Sequence, residues 1–272
     1  MKRIVVLLSL VLLIGVLSAC GSKDKETGKA LSEEKIVVGV TAGPHELVVN
    51  KVKELAAKEG LEIDVKVFTE YILPNTALSE GDLDINSFQT LPFLEKVNSD
   101  RDLNLVHVAK TILLPMGIYS DKFDSIDDIP DGASFGMPND PSNGARALIV
   151  LEAAGVITLR DEDKTTGTVQ DIVENPKNLK FVELEASQLP KQLIELDFAA
   201  INTNFILAAG KNPVEDSIFL ESKSSPYVNY IVVREENKDD AVVKKFAELY
   251  QSDEVKEFIK EEFNGTILSS WE

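Results

Sequence analysis

From residue 35 onward, short apolar runs alternate with stretches whose apolar residues recur every three or four positions. Short apolar runs are typical of buried strands, and the longer spacing is typical of amphipathic helices. The alternation of the two patterns predicts an α/β architecture with parallel sheets. The predicted strands cover residues 36–40, 61–67, 83–88, 105–111, 133–137, 180–184 and 198–201. The predicted helices cover residues 48–56, 75–79, 145–154, 190–196 and 204–209, and two more close the chain.

Two longer apolar segments, residues 113–119 and 227–233, divide this alternation into two sets. A chain that leaves one α/β unit and later returns to it forms two lobes joined by two crossing strands. A ligand cleft between the lobes is the expected binding place in such an arrangement.

A turn-rich loop between a strand and a helix is the first candidate site. Pro138, Pro141 and the polar residues between them separate the strand at 133–137 from the helix predicted to start at Ala145. Arg146 would then lie in the first helical turn, where the helix dipole disfavours a cation. It therefore needs an anionic partner, and either a ligand carboxylate held by its planar fork or a nearby Asp of the chain would serve.

The N-terminus has the pattern of a targeting segment. Lys2 and Arg3 precede an apolar core, and Leu17-Ser-Ala-Cys20 follows it. Because this tetrapeptide resembles a bacterial lipobox and holds the one Cys, we expect residues 1–19 to be a lipoprotein signal peptide and Cys20 to be acylated. Residues 20–34 are then a polar, flexible tether to the membrane.

Composition removes several classes of function. The chain has 28 Lys and Arg against 46 Asp and Glu, a net charge of −18, which argues against nucleic acid as a partner. One Cys excludes a Cys-based zinc site, and two His leave little for His-centred catalysis. The sequence contains neither Gly-x-Ser-x-Gly nor His-Glu-x-x-His. We therefore expect that the protein is not an enzyme and that it binds neither a metal nor a cofactor.

Several motifs in order, behind the lipobox, resemble one family. They are Val38-Gly-Val-Thr-Ala-Gly-Pro-His45, Tyr71-Ile-Leu-Pro-Asn75, Asp84-Ile-Asn-Ser-Phe-Gln89, Pro138-Asn-Asp-Pro-Ser-Asn143 with Arg146-Ala-Leu148, Asp171-Ile-Val-Glu-Asn-Pro-Lys-Asn-Leu-Lys180, Ala200-Ile-Asn-Thr-Asn204 and Ser225-Pro-Tyr-Val-Asn229. Together they are similar to the NlpA/MetQ-like lipoproteins, the methionine-binding components of ABC importers.

The resemblance implies a two-lobed periplasmic-binding-protein fold with two crossover strands. Lobe one would comprise residues 35–118 and 228–272, and lobe two residues 119–227. It also implies a monomeric, extracytoplasmic, lipid-anchored protein that captures a small amino acid, methionine first of all. The partners would be the permease and ATPase of an ABC importer.

The same resemblance implies the ligand site. Its aromatic walls would be Tyr71, Phe88 and Phe93, although Phe88 and Phe93 also fit the core of lobe one. Arg146 would clamp the carboxylate beside Asn143. The remaining implied contacts are the amides of Asn202 and Asn229 and a far wall at Tyr227.

Thr90 departs from the family pattern, because members that bind methionine typically carry His at this position. A related amino acid or a short methionine-containing peptide is therefore an open alternative. A surface adhesin or scaffold lipoprotein is another, and a melting temperature raised by an amino acid would distinguish it from a binding protein.

Overall fold

The computed structural model describes residues 30–160 and 164–271. The predicted signal peptide and Cys20 lie outside these residues. In the described part, the α-helices are α1 Pro44–Lys58, α2 Leu73–Ser79, α3 Leu91–Arg101, α4 Pro141–Ala153, α5 Leu189–Gln192, α6 Thr203–Ala208, α7 Ala241–Tyr250 and α8 Asp253–Phe263. Short 3₁₀ turns lie at Ile126–Asp128, Lys164–Thr166, Val169–Asp171, Ala186–Gln188 and Glu235–Asn237.

The strands build two main sheets and one small hairpin. They are β1 Lys35–Thr41, β2 Glu62–Phe68, β3 Ile85–Thr90, β4 Leu105–Leu113, β5 Gly117–Tyr119, β6 Ser134–Pro138, β7 Thr158–Leu159, β8 Ile172–Glu174, β9 Lys180–Leu184, β10 Phe198–Ile201, β11 Phe219–Leu220, β12 Val228–Arg234 and β13 Leu268–Ser269. The first sheet has the order β13-β4-β12-β3-β1-β2, and the second has the order β11-β5-β10-β6-β9. The chain enters the second sheet at β5 and returns to the first at β12, so the predicted two-lobed α/β fold with two crossings is confirmed.

Each sheet is covered by helices over its own core. On the first sheet, Val48 and Val52 of α1 pack in one cluster with Phe246 of α7 and Ile259 of α8. In the second, Phe135 and Leu148 belong to a separate cluster, which includes both β6 and α4. The two cores are what make the lobes independent units with a cleft between them.

Helix α4 begins four residues before its predicted start, and the reason lies in its cap. Asp140 adopts extended backbone and its side chain accepts a hydrogen bond from the Asn143 N–H, while Pro141 occupies the first helical position. Both are typical of a helix start, so Arg146 lies in the second turn. The prediction that it lies in the first turn is wrong. The predicted end is confirmed, since Gly155 follows with a φ of +76°.

Candidate functional site

A cavity with about 30 Å³ of space open to water lies between the two lobes. Eight of the nine residues expected at the ligand site line it, and Tyr227 does not. The lining comprises His45, Tyr71, Phe88, Gln89, Thr90, Phe93, Leu114, Asn143, Arg146, Asn202, Thr203, Asn204 and Asn229. The structure therefore brings together residues from α1, β3 and β12 of one lobe with residues from α4 and α6 of the other. Their role in binding stays a prediction.

Three aromatic rings form the apolar side of the cavity. Tyr71 stacks on Phe88 at a centroid distance of 6.1 Å, and Phe93 meets both rings edge-on. Phe88 and Phe93 are also core residues, 3% and 4% exposed. These two rings therefore belong to the core of lobe one and line the cavity as well. Such a wall suits an apolar, polarisable side chain.

Tyr71 joins the two lobes. Its hydroxyl donates a hydrogen bond of 2.6 Å to the Asn204 Oδ1 in α6, and its ring packs against Phe205 at 4.9 Å. Burial raises the pKa of Tyr71 far above its ordinary value, so the phenol remains a neutral donor. The contact ties the aromatic wall of lobe one to the first turn of a lobe-two helix.

A buried amide network holds the loop of Tyr71 against β3. Asn75 and Gln89 exchange two side-chain hydrogen bonds of 2.7 Å each, and the Asn86 amide donates to Asn75 Oδ1 and to the Pro74 carbonyl. These bonds fix α2 on the strand that carries Phe88 and Thr90. Gln89 is thus a site residue that sequence reasoning passed over, although it ends one of the quoted motifs.

Asn143 is fully engaged at the start of α4. Its backbone and side-chain N–H groups donate to the Asp140 carboxylate, and its Oδ1 accepts from the Asn202 amide at 2.8 Å. Burial raises the pKa of Asp140. Its hydrogen bonds with Asn143 act in the opposite direction and lower that pKa in part. Asn143 therefore orients Asn202 toward the cavity and has little capacity left for a ligand.

Arg146 finds its anionic partner within the chain. Its Nε and Nη2 donate to the two oxygens of Glu221 at 3.2 and 2.5 Å, and Nη2 also donates to the Leu114 carbonyl at 2.8 Å. Both side chains are buried, 4% and 10% exposed. The side-on fork contacts Glu221 in this structure, and the role of Arg146 as the carboxylate clamp stays a prediction. The open alternative of a chain acid is realised, by Glu rather than Asp.

Tyr227, expected at the far wall, lies over the guanidinium instead. The centre of its ring is 4.7 Å from the Arg146 Cζ, a cation–π contact. Within the described chain, the Arg146 Nη1 makes no hydrogen bond. This nitrogen is the part of the guanidinium that remains for a ligand.

Other polar atoms in the cavity wall also lack partners among the described residues. They are the His45 Nδ1 from lobe one, and the Asn202 Oδ1 and Asn204 Nδ2 from lobe two. An unsatisfied buried polar atom costs roughly 1–3 kcal/mol, so such atoms are rare without a purpose. Burial lowers the pKa of His45 to about 3, which makes it a neutral hydrogen-bonding group. Asn229, in contrast, donates to the Ile112 carbonyl at 3.0 Å.

His45 and Asn204 were not predicted as site residues, yet both lie inside quoted motifs. Their signal was present in the sequence, but a turn His after Gly-Pro and an Asn in a helix start each have an ordinary structural explanation. Across the described residues, no cluster of three or more His, Cys, Asp or Glu could hold a metal ion. In the same residues, no helix has the length and apolar character needed to cross a bilayer.

Comparison with known proteins identifies relatives of this site and fold. The chain is 44% identical over 264 residues to the D-methionine-binding lipoprotein MetQ of Escherichia coli, covering 95% of each chain. A nutrient binding protein from Burkholderia cenocepacia, solved bound to methionine, is 48% identical with a TM-score of 0.84, covering 87% of this chain and 100% of that one. The crystal structure of the methionine binding protein MetQ gives 45% identity and a TM-score of 0.85, covering 89% of this chain and 100% of that one. The family model for the NlpA lipoproteins matches residues 36–271, and the chain belongs to that family.

Proposed function

We propose that this protein is an extracytoplasmic substrate-binding lipoprotein that captures a small amino acid, methionine first of all, for an ABC importer. The observation that carries the proposal is the composition of the interlobe cavity. An aromatic wall faces a guanidinium and several buried polar atoms without partners, which suits an apolar side chain and an α-amino acid head group at opposite ends. A relative at 44% identity is named as a D-methionine-binding lipoprotein, and one at 48% identity was solved bound to methionine.

The roles of the residues follow from these positions. Tyr71, Phe88 and Phe93 enclose the ligand side chain, and Thr90 stands at the end of β3 beside them. The ligand carboxylate meets the Arg146 Nη1. Asn202 and Asn229 supply the amide contacts to the head group, and the Asn202 Oδ1 is a ready acceptor for an ammonium.

Cleft closure is the proposed mechanism of capture. Both lobes contribute to the cavity, so a ligand that contacts both favours the closed form by its differential affinity. Protein contacts across the cleft, such as Tyr71 with Asn204, add to that preference. The permease and ATPase complex would then recognise the closed form.

We propose a free amino acid rather than a peptide as the ligand, because the space between the lobes that water can enter is small, about 30 Å³. A related amino acid remains the second candidate, because Thr90, 8% exposed, lines the cavity at the position where the family pattern has His. We propose binding without catalysis, in line with relatives that are named as binding proteins.

Attachment and domain limits belong to the same proposal. Acylation at Cys20 would hold a monomer at the outer face of the cell membrane through the tether of residues 20–34. The lobes would comprise residues 35–118 plus 228–272, and residues 119–227. Strand β5, at Gly117–Tyr119, straddles the first of these limits.

Mass spectrometry of the copurified ligand tests the proposal. The mature protein is purified without added amino acids and denatured, and the released small molecules are identified. We expect methionine, or an amino acid of similar size, in an amount that follows the amount of protein. Release of no amino acid, together with no binding in titrations of the twenty common amino acids, would exclude the function.

A further inference from the structure

Glu221 is held by three hydrogen bonds besides its contacts with Arg146. Its Oε2 accepts a hydrogen bond of 2.9 Å from the Met116 N–H, and its Oε1 accepts one of 2.8 Å from the Ser225 hydroxyl. Its own N–H donates to the Met116 carbonyl at 2.9 Å. Met116 and Ser225 lie in the two connections between the sheets, after β4 and before β12. Glu221 is therefore anchored to both crossings between the lobes.

This anchored carboxylate determines which part of Arg146 is free. It engages Nε and one N–H of Nη2, and the Leu114 carbonyl takes the other N–H of Nη2. With the Tyr227 ring over the guanidinium, the side chain has one orientation, and Nη1 is the nitrogen left over. A ligand oxygen must accept from Nη1, because the other donors already have partners.

The same contact sets the charge balance of the site. Among the described residues that line the cavity, Arg146 is the one whose side chain carries a formal charge, since His45 is neutral at its lowered pKa. Glu221 offsets that charge from outside the lining. Burial raises the pKa of Asp140, which lies behind Asn143 at the start of α4, and so favours its neutral form. A ligand that is itself net neutral therefore leaves no uncompensated charge in the closed cleft, whereas a net anion would.

We propose that Glu221 is a positioning residue of the ligand site, which holds Arg146 with Nη1 toward the ligand and restricts the site to zwitterionic α-amino acids. The inference rests on the proposed function and deepens it, by naming the charge class of the ligand and the residue that selects it. A carboxylate of the same shape that lacks the amino group would be rejected.

The experiment compares two ligands on two proteins. Methionine and 4-(methylthio)butanoate have the same side chain and carboxylate, and the second lacks the ammonium. Both are titrated by calorimetry into ligand-stripped mature wild type and into Glu221→Gln, which keeps size and polarity but removes the charge. Glu215→Gln, which removes an exposed acid from the same segment, is the matched control.

We expect wild type and Glu215→Gln to prefer methionine by at least about tenfold, and Glu221→Gln to lose about tenfold or more of that preference. If Glu221 had only a structural role, Glu221→Gln would lower the affinity for both ligands equally. The ratio of the two affinities would then be unchanged, and that result would overturn the inference. If Glu221→Gln does not fold, wild type alone decides, because equal affinity for the two ligands would also overturn it. A wild type that binds no amino acid would overturn the proposed function, and this inference with it.

Discussion

The hydroxyl of Tyr71 donates a 2.6 Å hydrogen bond to the Asn204 side chain on the opposite lobe. This bond forms only when the lobes are close together, so it contributes to closure rather than to the stability of either lobe. Tyr71→Phe removes it and retains the ring. We expect methionine affinity to fall about two- to tenfold, from the ~0.5–1.5 kcal/mol of one net hydrogen bond.

The matched control for Tyr71→Phe is Tyr250→Phe, at a buried tyrosine packed against Phe246 and Trp271 in the first lobe. Thermal melts and calorimetry are measured on both variants. Tyr250→Phe is expected to alter the ligand-free melting temperature and not the affinity. If Tyr71→Phe behaved in the same way, the bond would have no part in closure.

Arg146 is coupled to Glu221, so its substitution affects folding as well as binding. Arg146→Ala leaves the Glu221 carboxylate buried without a cation, which costs roughly 3–5 kcal/mol of unfolding free energy. We expect a lower ligand-free melting temperature, and methionine binding weaker by about 30-fold to several thousand-fold. In the double variant Arg146→Met/Glu221→Gln, the melting temperature should largely recover while binding stays weak.

Arg234→Ala is the control for this pair, because Arg234 is a half-buried arginine that does not line the cavity and that donates to the Leu78 and Leu83 carbonyls. It should lower the melting temperature and leave affinity unchanged. Full methionine affinity in the double variant would show that the carboxylate is bound elsewhere.

The lowered pKa of His45 predicts that the stability of the fold depends on pH. Its pKa is lowered by burial from 6.5 to about 3, so the folded state keeps it neutral while the unfolded state binds a proton. The stability that this difference provides is complete above pH 6.5 and is lost as the pH falls toward 3. The loss is at most about 1.4 kcal/mol per pH unit.

Thermal melts of wild type, His45→Gln and His107→Gln between pH 7.5 and 4 measure this effect. His107 lies exposed on β4, and its variant is the control for removing an imidazole. His45→Gln should lose stability less steeply below pH 6.5. Parallel profiles for all three proteins would show that His45 is protonated without penalty.

Thr90 is the residue on which ligand choice is expected to depend. It lies at the end of β3 and lines the cavity beside Phe88 and Phe93. Because an imidazole adds a hydrogen-bonding group beside the ligand side chain, we expect Thr90→His to raise methionine affinity in calorimetry. Thr90→Ser, which keeps a short hydroxyl side chain, should bind as wild type does. An unchanged or lower affinity in Thr90→His would mean that this position does not select the ligand.

Local patterns were enough to predict much of the fold. Strands β9 and β10 have the predicted limits, because each is a short run bounded by polar or turn residues. Helix α3 was not predicted, because its buried residues, Phe93, Leu94 and Val97, are few among polar ones. Pro92 occupies the first turn of this helix, where its missing N–H has no cost.

The site was predictable where motifs carry it and not where distant segments meet. Tyr71, Phe88, Asn143, Asn202 and Asn229 come from continuous motifs and line one cavity. Glu221 lies 75 residues from Arg146 in a segment without a motif, so the local sequence does not predict this ion pair. The loss of the Arg146 fork to Glu221 could be seen only from the packing of the two crossings.

Direct titration of methionine tests the central claim, that the interlobe cavity binds a free amino acid. The mature protein is unfolded, stripped of ligand, refolded and titrated by calorimetry with methionine and with glycine, which lacks a side chain for the aromatic wall. We predict saturable one-to-one binding of methionine, with glycine weaker by at least about a hundredfold, the equivalent of roughly 2.7 kcal/mol of side-chain burial. No heat of binding with any amino acid, from protein that melts cooperatively, would contradict the account.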